Sequence, residues 1–383
     1  MGTTPNYAIP YPEPTDFVTD GAQAMENIAE KVDGILSTGA AARNLLYNGA
    51  MQVQQRVSGT TAVTGITGSD YYTADRWRTA LATLGTWSQS VDTDVPTGSG
   101  FRKSLKMLCT TADASPAAGD LLLVHQILEG QDLQAIKKGT SSAQSLSLSF
   151  WVKSNISGTY VVELLDTDNN RTCSKSYVIN ATGTWEYKTV TFPADTTGAF
   201  TNDNNSSLEI SWWLAAGSNF TSGTLQTTWG SLTNANRAVG LVNLASATNN
   251  YWQITGTQLT IGTVATPFQF KTYAQELAEC QRYYWKWVSK NAGDLYVSVY
   301  QPASSYFYHH VPMPVTMRAR PNSASLSGSV SYVNTPAYPS VYDRGDSWLI
   351  LISQVNSGIS AANQSAWYSV STSTTLIQDA ELS

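Results

Sequence analysis

Residues Ser145–Ser154 read SLSLSFWVKS, a small polar residue alternating with Leu146, Leu148, Phe150 and Val152. A period of two places alternate side chains on opposite faces of a strand, so this run predicts a half-buried β-strand with a dry and a wet face. Tyr160–Leu165, Tyr187–Phe192, Leu208–Leu214 and Trp252–Ile261 repeat the pattern, and polar turn stretches separate them at Asn155–Gly158, Asp166–Asn170, Asn180–Gly183 and Gly198–Ser207. Many short strands with no helical period between them predict a sandwich over residues 44–270, and roughly eight strands suggest a jelly roll.

Outward from this block the chain changes character twice. Residues 1–14, MGTTPNYAIPYPEP, carry Pro5, Pro10, Pro12 and Pro14, which forbid helix and favour an extended peptide. Tyr7, Ile9 and Tyr11 alternate along it and would point to one side; such a peptide either stays disordered or, as preferred here, docks into another protein. Residues 15–38 hold the best helical period, predicted over Asp16–Leu36 with Asp16 or Thr19 as cap: Met25, Ile28, Val32 and Ile35 follow spacings of 3, 4 and 3, the seam of a short coiled coil, and Gly39 ends it. So short a helix is marginal alone and must pack on something, either its own domain or, as preferred here, identical chains, with three chains favoured. Residues 271–383 open with an expected helix, Tyr273–Trp287. Strand-like runs follow at Leu295–Tyr300, Ser305–His310, Ser325–Val333 and Trp348–Ser353, predicting a smaller antiparallel β-domain. The fold class is therefore mainly β: extended peptide, short coiled-coil helix, jelly-roll sandwich, then a second β-module.

Composition bounds the function. Charged residues are 13% of the chain, about half the usual share, and the net charge is −6. That removes the electrostatic attraction on which phosphate binding depends, so no nucleic-acid partner is expected. No stretch is apolar for long enough to span a bilayer, and the first residues lack the pattern of a signal peptide. Cys109, Cys173 and Cys280 are odd in number and widely spaced, which predicts buried reduced thiols.

No catalytic constellation is legible, and no enzymatic activity is expected. His309 and His310 are adjacent on a strand and point to opposite faces, while His125 stands alone in an apolar run and reads as structural. No Gly-x-Ser-x-Gly elbow is present, and no period of 20–25 residues marks a depolymerising β-helix. No cofactor is expected. Calcium is the one ion left open: Asp92, Asp94 and Asp113, or Asp166, Asp168 and Asn170, offer hard oxygen donors, although metal-free acidic turns are the commoner reading. For a glycan, exposed rings mixed with hydroxyls and amides point to Tyr300, Tyr306 and Tyr308 in YQPASSYFYHH and to Tyr338 and Tyr342 in YPSVYDRGD. The same rings would equally serve subunit contacts.

Several ordered strings carry a family resemblance. Asn6-Tyr7 through Pro10-Tyr11-Pro12 and Thr15-Asp16, with Val32-Asp33 behind, resembles the leader of bacteriophage fibre proteins. Asn44-Leu45-Leu46-Tyr47-Asn48-Gly49, with Gln54-Gln55-Arg56 and Ala74-Asp75-Arg76-Trp77, is similar to the opening of a tail-associated, carbohydrate-binding-like jelly roll; Asp75 and Arg76 are expected to pair beside Trp77. Thr266-Pro267-Phe268 into Cys280-Gln281-Arg282-Tyr283-Tyr284, Pro314 to Pro321, and the terminal Asp379-Ala380-Glu381-Leu382 resemble the boundary and module that follow, and Arg282 is expected to stack on a ring. Met51 and Gln54 depart from the pattern, standing where the family carries aromatics. The resemblance implies a virion structural protein, a tail fibre or tail-tip adhesin assembled in host cytoplasm. It would be a homotrimer held to a tail or baseplate protein by its N-terminus and would contact a host-surface glycan. A capsid-attached head fibre or decoration protein is the alternative, with a polysaccharide depolymerase behind it.

Overall fold

The computed structural model describes residues 2–3, 10–11, 21–39, 43–289, 299–303, 306–327, 330–333, 340–354, 367–370 and 374–382. The chain divides into two compact units at Lys271/Thr272.

In the first unit, β1 (Gly2–Thr3) pairs antiparallel with β2 (Pro10–Tyr11), Thr3 opposite Pro10, and α1 spans Gly21–Gly39. The sandwich follows. Its strands are β3 (Val63–Ile66), β4 (Arg78–Ala82), β5 (Thr86–Asp92), β6 (Ser104–Thr111), β7 (Leu121–Glu129) and β8 (Leu146–Ser154). They continue with β9 (Gly158–Asp166), β10 (Arg171–Ile179), β11 (Glu186–Phe192), β12 (Ser206–Ala216), β13 (Gly230–Ser231) and β14 (Tyr251–Ile261). One sheet runs β13-β10-β9-β12-β7-β4 and the other β11-β8-β14-β6-β5-β3. Setting aside the added edge strands, the eight strands β6–β12 and β14 interleave as first, eighth, third, sixth in one sheet and second, seventh, fourth, fifth in the other. That order is the double Greek key of a jelly roll.

The inward faces meet in an aromatic core. Phe150 of β8 lies 5.8 Å from the Trp212 ring of β12, and Trp212 lies 5.4 Å from Trp77, all three fully buried. The opening strings serve this core. The Asn48 side-chain amide donates to the carbonyls of Val53 and Asp75, its side-chain oxygen accepts from Val53 N–H, and its own carbonyl accepts from Trp77 Nε1–H. Gly49 is required because any Cβ there would collide with the Thr257 carbonyl. Asp75 and Arg76, expected to pair beside Trp77, also bond elsewhere. Asp75 accepts from Gln55 and pairs with Arg56, while Arg76 donates to the Ile127 carbonyl and lies over the Tyr47 ring. The residues are adjacent, and Arg76 sits at φ 71°, which turns the chain between them.

The two outer faces of the sandwich differ. On the β7–β12–β9 face, the excursion between β12 and β14, which includes α2 (Ser218–Thr221), folds back as a cover. Phe220, Leu225 and Leu241 pack on Trp213, Leu123 and Val161. Arg237 from this cover forms a two-pronged pair with buried Glu163, both contacts 2.8 Å, and Trp213 Nε1 and Thr172 Oγ1 complete the carboxylate's partners. The opposite face, on β11–β8–β14, is covered only in part, and that is where the groove described below opens.

In the second unit, α3 (Tyr273–Gln281) starts with a reciprocal cap: Thr272 Oγ1 accepts from Gln275 N–H and Gln275 Oε1 from Thr272 N–H. The helix expected to reach Trp287 stops at Gln281, and β15 (Tyr284–Val288) takes over. YWKWV is rich in β-formers, and the last strand pairs with it. The remaining strands are β16 (Val299–Ala303), β17 (Tyr306–Pro312), β18 (Ser323–Ser327), β19 (Val330–Val333), β20 (Ser340–Arg344), β21 (Trp348–Gln354), β22 (Trp367–Val370) and β23 (Thr375–Asp379). They form sheets β15-β23-β18, β16-β17-β21-β20 and β19-β22, with Trp285, Val311, Met317, Leu349 and Leu376 in the core. Among the described residues no helix is long and apolar enough to cross a membrane.

Candidate functional site

Strands β8 and β11 pair so that Trp151 stands opposite Tyr187. Because Phe150 faces the core, its neighbour Trp151 must face out, and Tyr187 shares that face. The two ring centroids are 5.3 Å apart with planes inclined at 50°. They form one wall of a groove of about 690 Å³.

The other wall is built from chain that is remote in sequence. Beyond β14 the segment 262–270 turns back over its own sheet, held by Gln258. The Gln258 amide donates to Thr266 and to the Pro267 carbonyl, and its oxygen accepts from Gln269 N–H. Ser147 and Ser149 of β8 oppose Thr260 and Gln258 and are buried, so the small side chains of the SLSLS run leave room for this strap rather than facing water. The strap delivers Phe268 and Phe270, which close a three-ring cluster with Phe101, centroids 4.9–5.1 Å apart. Phe101 lies against Gly256, at a bulge in β14 and with φ +61°; a side chain there would displace the ring. Phe270 and Tyr187 remain 52% and 45% exposed, so the groove presents aromatic faces to solvent. Its polar lining is hydroxyl: Ser99, Thr189 and Thr266.

One pleat further along the same face, about 7 Å on, the side chains are ionic. Lys153 Nζ lies 2.6 Å from Asp94 Oδ2, and Trp185 Nε1 donates to the other Asp94 oxygen at 3.0 Å. Burial works to raise the Asp94 pKa, but the Lys153 and Trp185 hydrogen bonds outweigh it and hold the carboxyl below its ordinary value. Lys106 is likewise matched by Asp92 at 3.4 Å and lies over the Tyr251 ring.

The residues expected to touch glycan belong to the second unit. Tyr308 and Tyr342 come together, rings 5.1 Å apart and nearly perpendicular, with Tyr342 exposed. Tyr300 stands opposite Tyr308 in the β16–β17 pair and Tyr306 opposite Ala303, but their side chains fall outside the described residues, as does Tyr338 altogether. His310 lies 6.2 Å from the Trp348 ring. The Arg282 backbone caps α3, and its carbonyl accepts Arg318 N–H.

Of the expected docking residues, Tyr7 and Ile9 fall outside the described residues, and Tyr11 is exposed on β2. On α1 the seam residues Met25 and Val32 are exposed and Ile28 is half-buried; the Ile35 side chain lies outside the described residues.

The two calcium candidates are occupied by side chains. Asp166 is buried against Lys138 Nζ at 2.5 Å and also accepts from Asn169, while Asp168 accepts from Thr201. Asp92 and Asp94 bind the lysines named above, whereas Asp113 lies beyond the far end of β6. Among the described residues no three acidic, histidine or cysteine side chains converge as a metal site. His125 is buried between Arg78 and Glu209, 3.5 Å from each. All three cysteines are buried free thiols, and burial pushes the Cys173 thiol up to about 12.

No protein-family model and no curated protein matches this chain. Among solved structures, the enzymatically active domain of tailspike protein 4 from bacteriophage CBA120 is 14% identical, TM-score 0.29, over 57% of this chain and 21% of that one. A family 4 carbohydrate-binding module is 11% identical, TM-score 0.27, over 56% of this chain and 97% of that one. The family 11 module of a Clostridium thermocellum cellulosomal cellulase is 11% identical, TM-score 0.28, over 55% and 98%.

Proposed function

We propose that this protein is a glycan-binding fibre subunit of a bacteriophage particle, and that the sandwich groove is where it grips the host-surface sugar. The observation that carries the reading is the Trp151–Tyr187 platform, open to solvent and facing a second aromatic wall. The C–H face of a pyranose is apolar and weakly positive, so it packs on a π face while its rim hydroxyls bond to hydroxyl groups. Both features line this groove. The opposite outer face of the sandwich is consumed by its own cover and its buried Glu163–Arg237 pair.

We read the groove as binding without cleaving. Glycoside hydrolysis needs two carboxylates astride the bond, roughly 5–9 Å apart, and no carboxylate lines this groove. The particle attachment rests on the resemblance of the proline-rich leader, and self-association on the exposed Met25 and Val32 of α1. Three linked copies would raise the effective concentration of a weak single site. We retain the tail over the head as the place of attachment.

A panel of host-surface oligosaccharides, offered to the full chain and to the Trp151→Ala/Tyr187→Ala variant, tests the binding. The reading predicts at least one ligand retained by the parent and lost by the variant while the fold is kept. Equal binding by both would overturn it.

A further inference from the structure

We infer that the groove selects uncharged glycans, and that the Asp94–Lys153 pair at its end sets this selectivity; the inference rests on the glycan reading above. No lysine, arginine, histidine, aspartate or glutamate contributes to the lining. A ligand carboxylate or sulfate brought here would shed water and find hydroxyls and ring faces, with no cation to replace its hydration.

The two strand lysines of this face are already matched. Lys153 stands one pleat beyond Trp151 and could reach an acidic ligand, but its ammonium is held by Asp94 at 2.6 Å. Asp94 is held from a second side by Trp185 Nε1–H, so the half-exposed carboxylate keeps its place beside Lys153. Lys106, on the same face, is matched by Asp92. Lys188 of β11 pairs with Glu186 and, standing opposite Phe150 in the register, faces away from the groove. The two strand lysines on this outer face, Lys153 and Lys106, therefore each have an internal counter-ion. A negative ligand would meet the Asp94 charge as a repulsion. Asp94 is a specificity-determining residue on this account; it contributes no contact to the sugar itself.

Removing one charge should invert the preference. Asp94→Asn keeps the side-chain shape and an oxygen that accepts from Trp185, but releases the Lys153 ammonium toward the groove. The test is calorimetry on the full chain with two probe sets: neutral hexose and N-acetylhexosamine oligosaccharides, and oligosaccharides of the same length carrying a uronic acid or a sulfate. The parent should bind a neutral member about tenfold or more tighter than its acidic counterpart. In Asp94→Asn the acidic-to-neutral affinity ratio should rise by about tenfold, and the gain should disappear at high salt.

A parent that prefers acidic probes, or a ratio unmoved by Asp94→Asn in a folded variant, overturns the selectivity while leaving glycan binding in place. Binding of neither set overturns both. If Asp94→Asn does not fold, Lys153→Met serves instead. It removes the only cation the variant would have released, and on this account it leaves the parent's discrimination against acidic probes intact; a parent selectivity that vanishes with Lys153 contradicts it.

Discussion

Trp151 and Tyr187 are 36 positions apart in sequence and direct partners across two strands, with ring centroids 5.3 Å apart on the solvent side of the sandwich. Tyr187 is exposed and Trp151 only partly buried, and neither ring fills the core. Each single alanine substitution should therefore lower glycan affinity by about fivefold or more, equivalent to about 1 kcal/mol. Thermal unfolding should stay within about 2 °C of the parent. Calorimetric titration beside a melting curve checks both halves.

The Glu163–Arg237 pair behaves oppositely. Glu163 is fully buried and Arg237 is the cation that compensates it. Arg237→Met leaves a buried carboxylate with only Thr172 and Trp213 as donors, and should cost about 3 kcal/mol in urea unfolding. The double variant Glu163→Gln/Arg237→Met should recover a large part of that loss, since the uncompensated charge is gone.

Acid should loosen the β10–β11 corner. Burial acts to raise the Glu186 pKa, yet Lys188 and the donors of Asn180 and Ala181 lower it from 4.5 to about 2. A carboxylate depressed in the folded state stabilises above its unfolded pKa, and this is lost as pH falls through its folded value. Unfolding free energy should therefore decline between about pH 4.5 and 2. Glu186→Gln should flatten that decline, measured by urea titration at stepped pH.

On α1, Met25 and Val32 are exposed in the single chain, as a seam awaiting identical partners would be. Met25→Asp/Val32→Asp should shift the protein from oligomer to monomer in analytical ultracentrifugation, leaving the sandwich folded. An unchanged sedimentation coefficient would remove self-association through this helix.

The alternation in Ser145–Ser154 was enough to place β8, because its dry face is a local property. Its other face is not wet: Ser147 and Ser149 are buried under a strap that begins more than a hundred residues later. The groove was hidden for the same reason. Trp151 and Tyr187 meet through strand register, and Phe101, Phe268 and Phe270 through the folding of two distant segments onto one face. One local signal was available: in Phe150-Trp151 two large aromatics stand side by side, and only one of them can enter the core. By contrast, the tyrosine-rich strings of the second unit drew attention through composition, which is local, and their described part reduces to the Tyr308–Tyr342 pair. Asn48, Asp75 and Trp77 stand out in the opening strings, but the bonds by which Asn48 joins them depend on the folded backbone and not on local pattern.

A crystal structure of the full chain soaked with a neutral oligosaccharide that it binds is the most direct test. The account predicts a sugar ring lying flat on Trp151 or Tyr187, its edge toward Thr189 or Thr266. Sugar seated instead against Tyr308 and Tyr342, with the sandwich groove empty, would contradict it.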